Sequence, residues 1–209
     1  MNKGKFISFE GIEGVGKSSA ISLIKKYLKE NNVKVFCTRE PGGTKYGEEL
    51  RNILLNNKTN ISPEAELLLI FSARKQHIEE IIKPKLNNGV WVICDRFIDS
   101  TLAYQGYGKK INIKKINLLI KNFTNNLTPD LTIFFDLSYE LSKKRFPKNK
   151  VKDRFEVLKN NFFIDVYKGY LDIVNKNKSR VKIVDAQKSK KEVYNEIISI
   201  INNKLNKFF

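Results

Sequence analysis

The sequence predicts an α/β fold, a doubly wound sheet of five parallel strands. Three observations carry that prediction. Five short runs, at residues 5–10, 33–38, 90–95, 131–136 and 180–185, are rich in Val, Ile and Phe without clean alternation, as suits strands covered on both faces. Segments of helical periodicity separate them, at 17–30, 47–56, 63–82, 112–125, 153–174 and 190–205. Strands that alternate with helices imply right-handed crossovers and a parallel sheet. In such sheets a ligand binds beyond the carboxyl ends of the strands, and the motifs below fall there.

The first strand ends in Gly11-Ile12-Glu13-Gly14-Val15-Gly16-Lys17-Ser18, which fits the P-loop pattern GxxxxGK[ST] in its required place between a strand and a helix. The glycines let backbone N–H groups wrap a β-phosphate. The N-terminus of helix 17–30 adds positive potential. Lys17 reaches the β- and γ-phosphates, and the Ser18 hydroxyl ligates Mg²⁺. Residues 11–18, with Ser19, are therefore expected to hold ATP. The loop alone does not separate kinases from GTPases or motors. A guanine-reading NKxD motif is absent, because Asn149-Lys150-Val151-Lys152 lacks the aspartate, and motors need a far longer chain.

The second strand runs into Thr38-Arg39-Glu40-Pro41-Gly42-Gly43-Thr44. Helix 63–82 contains Phe71-Ser72-Ala73-Arg74. The third strand ends at Asp95-Arg96-Phe97, followed by Ser100 and by Ala103-Tyr104-Gln105-Gly106. Arg39 and Arg96 are guanidiniums at strand ends, suited to bidentate phosphate contacts. Asp95 closes an apolar run in the manner of a Walker-B carboxylate, which holds Mg²⁺ through water. Phe71 and Arg74 are three apart and so share a helical face. Glu13 is a carboxylate beside expected phosphates, where like charges repel, so a functional reason is expected for it. Lys144-Arg145 and Asp153-Arg154-Phe155-Glu156 flank a lysine-rich stretch. Residues 187–209 read as a generic amphipathic helix.

The charge is unusual: 39 Lys and Arg against 22 Asp and Glu give a net +17. A basic balance suits nucleic acid or a phosphorylated small substrate. Here the lysines are scattered through every segment among asparagines and isoleucines, the mark of a composition bias rather than a patch. No nucleic-acid partner is expected. Cys37 and Cys94 make no metal spacing and read as reduced core thiols. His77, the only histidine, reads as solvated or capping. No apolar run reaches the ~18 residues of a membrane span, and no export leader is recognisable. A cytoplasmic protein of one domain, residues 1–209, without a membrane partner, is expected.

Taken together, the P-loop and the TREPGG, FSAR, DRF and AYQG segments at these spacings resemble bacterial thymidylate kinases over nearly the whole chain, from Phe6 to about Asp185. The resemblance implies a P-loop kinase fold with a short mobile lid at about residues 143–156. It implies transfer of the γ-phosphate of ATP to dTMP, with Mg²⁺, in a homodimer. Arg39 and Arg96 would hold the acceptor phosphate, Arg96 also facing the transferred group. Phe71 would stack on thymine and Arg74 would bond a ring carbonyl. Tyr104 would crowd the sugar's 2′ position, and Gln105 would contact the base or the substrate-binding loop. Glu13 would lie near Mg²⁺ and the 3′-hydroxyl. Pro41 and Ser100 fall in the same acceptor segments. The family's lid arginines are here mostly lysine, namely Lys148, Lys150 and Lys152, so Arg145 is expected to be the main catalytic and ATP-binding cation of the lid. The apolar run Leu67-Leu68-Leu69-Ile70 would serve either the dimer or the core.

Overall fold

The computed structural model describes residues 3–145, 154–155 and 160–205. Its five strands, β1 (Phe6–Glu10), β2 (Val35–Arg39), β3 (Trp91–Asp95), β4 (Leu131–Asp136) and β5 (Val181–Asp185), are all parallel. Their order is β2-β3-β1-β4-β5. The three inner strands are buried almost throughout, as strands with apolar residues on both faces must be. Helices α1 (Lys17–Glu30) to α9 (Lys190–Lys204) cover both faces. One core cluster joins Phe9 and Phe135 of the sheet to Ile24 of α1, Tyr170 of α8 (Asn160–Lys176) and Ile197 of α9. A second packs Ile78, Ile82 and Leu86 against Phe6 and Val92.

The helical segment predicted at 63–82 is longer than its pattern. After α2 (Lys45–Leu55), helix α3 (Pro63–His77) starts with the Ser62 hydroxyl accepting from the Ala65 N–H and with Pro63 in the first turn, both ordinary start signals. It continues through a π-helical turn, Ile78–Ile82, into α4 (Lys83–Asn87). A second π-helical run, Leu102–Gly108, follows α5 (Ile98–Thr101), where the pattern predicted no helix. Helix α8 packs closely on it: a Cβ at Gly169 would come within 2.6 Å of the Tyr107 ring. Helices α6 (Ile113–Phe123) and α7 (Tyr139–Lys144) flank β4. The helix predicted from Asp153 is described only from Asn160, and Arg154-Phe155 form a turn ahead of it.

Strands β1 and β3 are neighbours, yet their connections leave in opposite directions. The chain from β1 goes to β2 beyond β3, and the chain from β3 returns to β4 beyond β1. A crevice opens at the carboxyl ends of two such strands. Gly11 follows β1 there, and Arg96 follows β3.

Candidate active site

The P-loop is shaped by backbone that side chains resist. Gly11 has φ +140°, and a Cβ there would meet the Phe135 carbonyl oxygen at 3.0 Å. Gly16, at φ +98°, caps α1. Both need glycine. Ile12 and Val15 point into the core and hold the loop down. Lys17 is buried, and its ammonium donates to the carbonyls of Gly11 (3.1 Å) and Ile12 (3.0 Å). Burial and then the nearby Arg96 charge lower its pKa. Asp95 Oδ1 lies 3.9 Å from Lys17 Nζ, too far for a hydrogen bond, and is a buried oxygen without a partner among the described residues. Asp95 lines one hollow with Ser18 and Arg39. An orphaned carboxylate oxygen and a hydroxyl are hard oxygen donors, so this pair fits Mg²⁺ completed by waters and phosphate oxygens.

Arg96 stands at φ +71°, a strained conformation of the kind that collects at functional sites. It is held there by contacts from four directions. Its guanidinium donates to Glu13 (2.6 Å), Ser100 (3.2 Å), Tyr104 (3.2 Å) and Tyr170 (3.3 Å). Burial would weaken its charge, but Glu13 and the tyrosine oxygens outweigh burial and raise its pKa well above the ordinary value. Beneath it Glu10 accepts from the Phe97 N–H (2.7 Å), Ser100 (2.5 Å) and Tyr170 (3.1 Å). P-loop, β3 turn and α8 are thus tied around one guanidinium.

Glu10 is fully buried, and burial followed by the Asp99 charge pushes its pKa up to about 7. The folded chain therefore keeps a proton that the unfolded chain loses above the ordinary 4.5. Stability from this group is complete below that value and is lost as pH rises through about 7. The ligand-free protein should lose Tm between about pH 5 and pH 7.5, by the equivalent of roughly 3 kcal/mol at most. Glu10→Gln cannot ionise and should flatten that slope in scanning calorimetry. An unchanged slope would assign the pH dependence to another group.

A second cavity opens beside Arg96, lined by Glu13, Pro41, Arg74, Ser100, Tyr104 and Gln105 among others. Six sequence-predicted acceptor residues, from segments up to ninety residues apart, are therefore brought together with Arg96. Arg74 is almost fully buried. Its Nε donates to Glu40 (2.7 Å) and its Nη2 to the Phe97 carbonyl (3.1 Å), while Nη1 has no partner among the described residues. Burial opposes the Glu40 charge, yet Arg74 and His77 hold the Glu40 pKa below its usual value.

Three expectations change here. Phe71 does not reach the cavity. It sits under Arg74, 5.1 Å from ring centre to guanidinium carbon, in a satellite core with Leu67, Ile111 and Ile116. Ile70 lines the cavity instead. The reason is helical geometry: residues three and four before Arg74 flank it on opposite sides, and spacing alone does not say which side faces the ligand. His77 is not solvated. It is fully buried, bonded to Thr38 (2.7 Å) and Glu40 (3.0 Å), and so steadies the carboxylate that orients Arg74. Arg39 is half exposed, paired with Glu48 (2.8 Å), and lines the Ser18–Asp95 hollow rather than the acceptor cavity. Arg51, which the motifs did not single out, lines the acceptor cavity and donates to the Pro41 carbonyl (2.8 Å).

On the other side of the P-loop, Gly14, Val15, Gly16 and Ser19 line a third hollow together with Arg145. Its far wall is Ala186, Lys188, Ser189 and Lys190, the turn from β5 into α9. The stretch read as generic helix thus begins at the donor side. A weak signal was present, since Ser189 and Glu192 form a capping box that marks a helix start just past a strand end. Lys148, Lys150 and Lys152 lie outside the described residues.

One glycine-rich loop lines both hollows, giving Glu13 to one and Gly14, Val15 and Gly16 to the other. Such a layout defines a P-loop phosphotransferase of the nucleoside monophosphate kinase class. Residues 9–197 match the family described as thymidylate kinase. The thymidylate kinase of Nitrosomonas europaea is 38% identical over 203 residues, covering 97% of this chain and 94% of the relative. That of Mycoplasma capricolum is 42% identical over 203 residues, covering 96% and 95%. The crystal structure of thymidylate kinase from Ehrlichia chaffeensis superposes with a TM-score of 0.75 at 35% identity, covering 95% of this chain and 99% of that one. The chain belongs to the thymidylate kinase family.

Proposed function

We propose that this kinase transfers the γ-phosphoryl group of ATP to dTMP, releasing ADP and dTDP, in the cytoplasm and without a nucleic-acid or membrane partner. Among the described residues no helix is long and apolar enough to cross a membrane. The observation that carries the substrate reading is Arg74 Nη1, a buried donor without a partner on the wall of the acceptor cavity. A buried unpaired N–H is costly, and a ring carbonyl of a pyrimidine base would relieve it. Tyr104, nearly buried in the same wall, leaves little room beside a sugar and favours a deoxyribose.

In this reading the acceptor phosphate oxygen forms a bond to the γ-phosphorus as the bond to the β-phosphate oxygen breaks. The chain supplies position and charge, not acid–base chemistry. P-loop N–H groups and Lys17 hold the donor phosphates. Arg96 and Arg51, on the wall of the acceptor cavity, are placed to meet the acceptor phosphate, Arg39 faces the Ser18–Asp95 hollow, and Arg145 with the β5–α9 turn bounds the donor nucleoside. Ser18 and Asp95 would hold Mg²⁺, which neutralises phosphate charge when bound.

The run Leu67-Leu68-Leu69-Ile70 divides between the two roles left open for it. Leu67 and Ile70 are buried, whereas Leu68 is 60% exposed, and α6, which contacts α3, carries Leu118, 59% exposed. Helices α3 and α6 are proposed as the homodimer face. The substrate test is a coupled assay of ADP release against a panel of nucleoside monophosphates. dTMP should give the highest kcat/KM, dUMP less, and UMP, AMP and CMP little. A higher value for AMP or CMP would overturn the assignment.

A further inference from the structure

Glu66 is a carboxylate with no exposed surface, in the first turn of α3, and the phosphoryl-transfer chemistry makes no use of it. A buried charge persists only when it is compensated. Here the Arg154 guanidinium pairs with Oε2 and the Gln105 side-chain amide donates to Oε1 at 2.8 Å. Arg154 is fixed in turn: its Nε donates to the Leu54 carbonyl (2.9 Å) and its backbone N–H to the Leu55 carbonyl (3.1 Å), at the end of α2. Leu54, Leu55, Ile70, Gln105 and Phe155 all line the acceptor cavity. A residue beyond the lysine-rich stretch therefore reaches across to brace the acceptor side.

The orientation of a glutamine amide is normally open to reversal. Beside an ionised carboxylate it is not, because a carboxylate only accepts. The atom of Gln105 turned to Glu66 must be the nitrogen, so the carbonyl oxygen is the atom left over. Among the described residues no donor is recorded for that oxygen, and Gln105 is otherwise buried in the cavity wall. The cavity therefore offers one unsatisfied donor, Arg74 Nη1, and one acceptor, Gln105 Oε1.

We propose that Glu66, paired with Arg154, is a positioning residue for base specificity: it locks the Gln105 amide so that its carbonyl oxygen selects an acceptor base presenting a carbonyl next to a ring N–H. Thymine and uracil present that pair. Cytosine presents the reverse, an amino group next to an unprotonated ring nitrogen, and meets two mismatched partners. This rests on the acceptor cavity being the nucleotide site proposed above, and adds what makes it read an imide edge.

The test is kcat/KM for dTMP and for dCMP in the wild type, Glu66→Gln and Glu66→Asp, with KM for ATP and thermal unfolding measured alongside. Gln at position 66 both donates and accepts, so the Gln105 amide is free to turn. Wild type should prefer dTMP by about 10²-fold or more, a typical penalty for unpaired buried polar groups. In Glu66→Gln that ratio should fall at least about tenfold, with KM for ATP unchanged. Glu66→Asp keeps an acceptor-only partner and should retain most of the ratio. If Glu66→Gln folds poorly, Arg154→Gln tests the same brace, since it takes away the guanidinium that holds the carboxylate against the Gln105 amide. An unchanged dTMP to dCMP ratio in the folded variants, or an equal loss for both acceptors, overturns the inference while leaving the function standing. A wild type that prefers dCMP or AMP overturns the function itself.

Discussion

Lys17→Ala should lower kcat by about 10²-fold or more, the scale expected when a fixed charge that stabilises a transition state is removed. The ammonium is enclosed by the P-loop's own carbonyls, 3.0 and 3.1 Å from them. In the proposed reaction its charge would face the β–γ bridge, where negative charge gathers as the bond breaks. Desolvation strengthens that interaction, because a charge in a buried site is poorly screened. The same burial lowers the lysine's pKa, followed by repulsion from Arg96. Truncation also leaves a void in the loop, so Lys17→Met, of similar volume and no charge, should be measured beside it. Both should fold, by thermal unfolding, and both should be slow in single-turnover assays. Near-normal turnover in a folded variant would remove Lys17 from the mechanism.

Arg96→Ala should be more damaging still, by about 10³-fold or more in kcat, within the range reported for arginines that neutralise a transferring phosphoryl group. Three consequences converge. The guanidinium on the wall of the acceptor cavity is gone. Glu13 loses its partner at 2.6 Å and becomes a carboxylate facing phosphates, which repels them. The Tyr104, Ser100 and Tyr170 oxygens lose a shared donor. Arg96→Lys keeps the charge but not the fork, and lysine cannot reach four partners from one nitrogen in this geometry. It should remain more than about tenfold impaired. Guanidinium added to the alanine variant should restore part of kcat without changing the Tm, which separates a direct role from a structural one. A folded Arg96→Ala protein with near wild-type kcat would mean that another cation neutralises the phosphoryl group.

Local pattern carried far in this chain. Strand ends lie within two residues of their apolar runs, because a strand buried on both faces must be apolar at nearly every position. The P-loop was legible because its glycines, lysine and serine act over eight consecutive residues, where chain connectivity itself sets the geometry. Arg74, Arg96, Tyr104 and Gln105 were legible through motifs at strand and helix ends, and the structure gathers them into one cavity. The π-helical run Leu102–Gly108 was not legible. Helix α8, which packs closely on it at Gly169 and Gly108, starts more than fifty residues further on, so no local pattern announces the contact.

By itself the sequence determined the parallel sheet and the phosphate loop, which depend on residues that are neighbours along the chain, and the kinase family, whose short motifs recur at set spacings along it. Tertiary structure alone decided which of Ile70 and Phe71 lines the cavity, because a three- or four-residue helical spacing allows either and only packing on Ile111 and Ile116 separates them. It alone recruited Arg51, and the β5–α9 turn, to the site. It alone paired Glu66 with Arg154 across 88 residues and so turned the Gln105 amide. A hydrogen bond between distant residues leaves no periodic trace in composition or spacing, because its geometry is set by the packing of whole elements rather than by the chain between its ends.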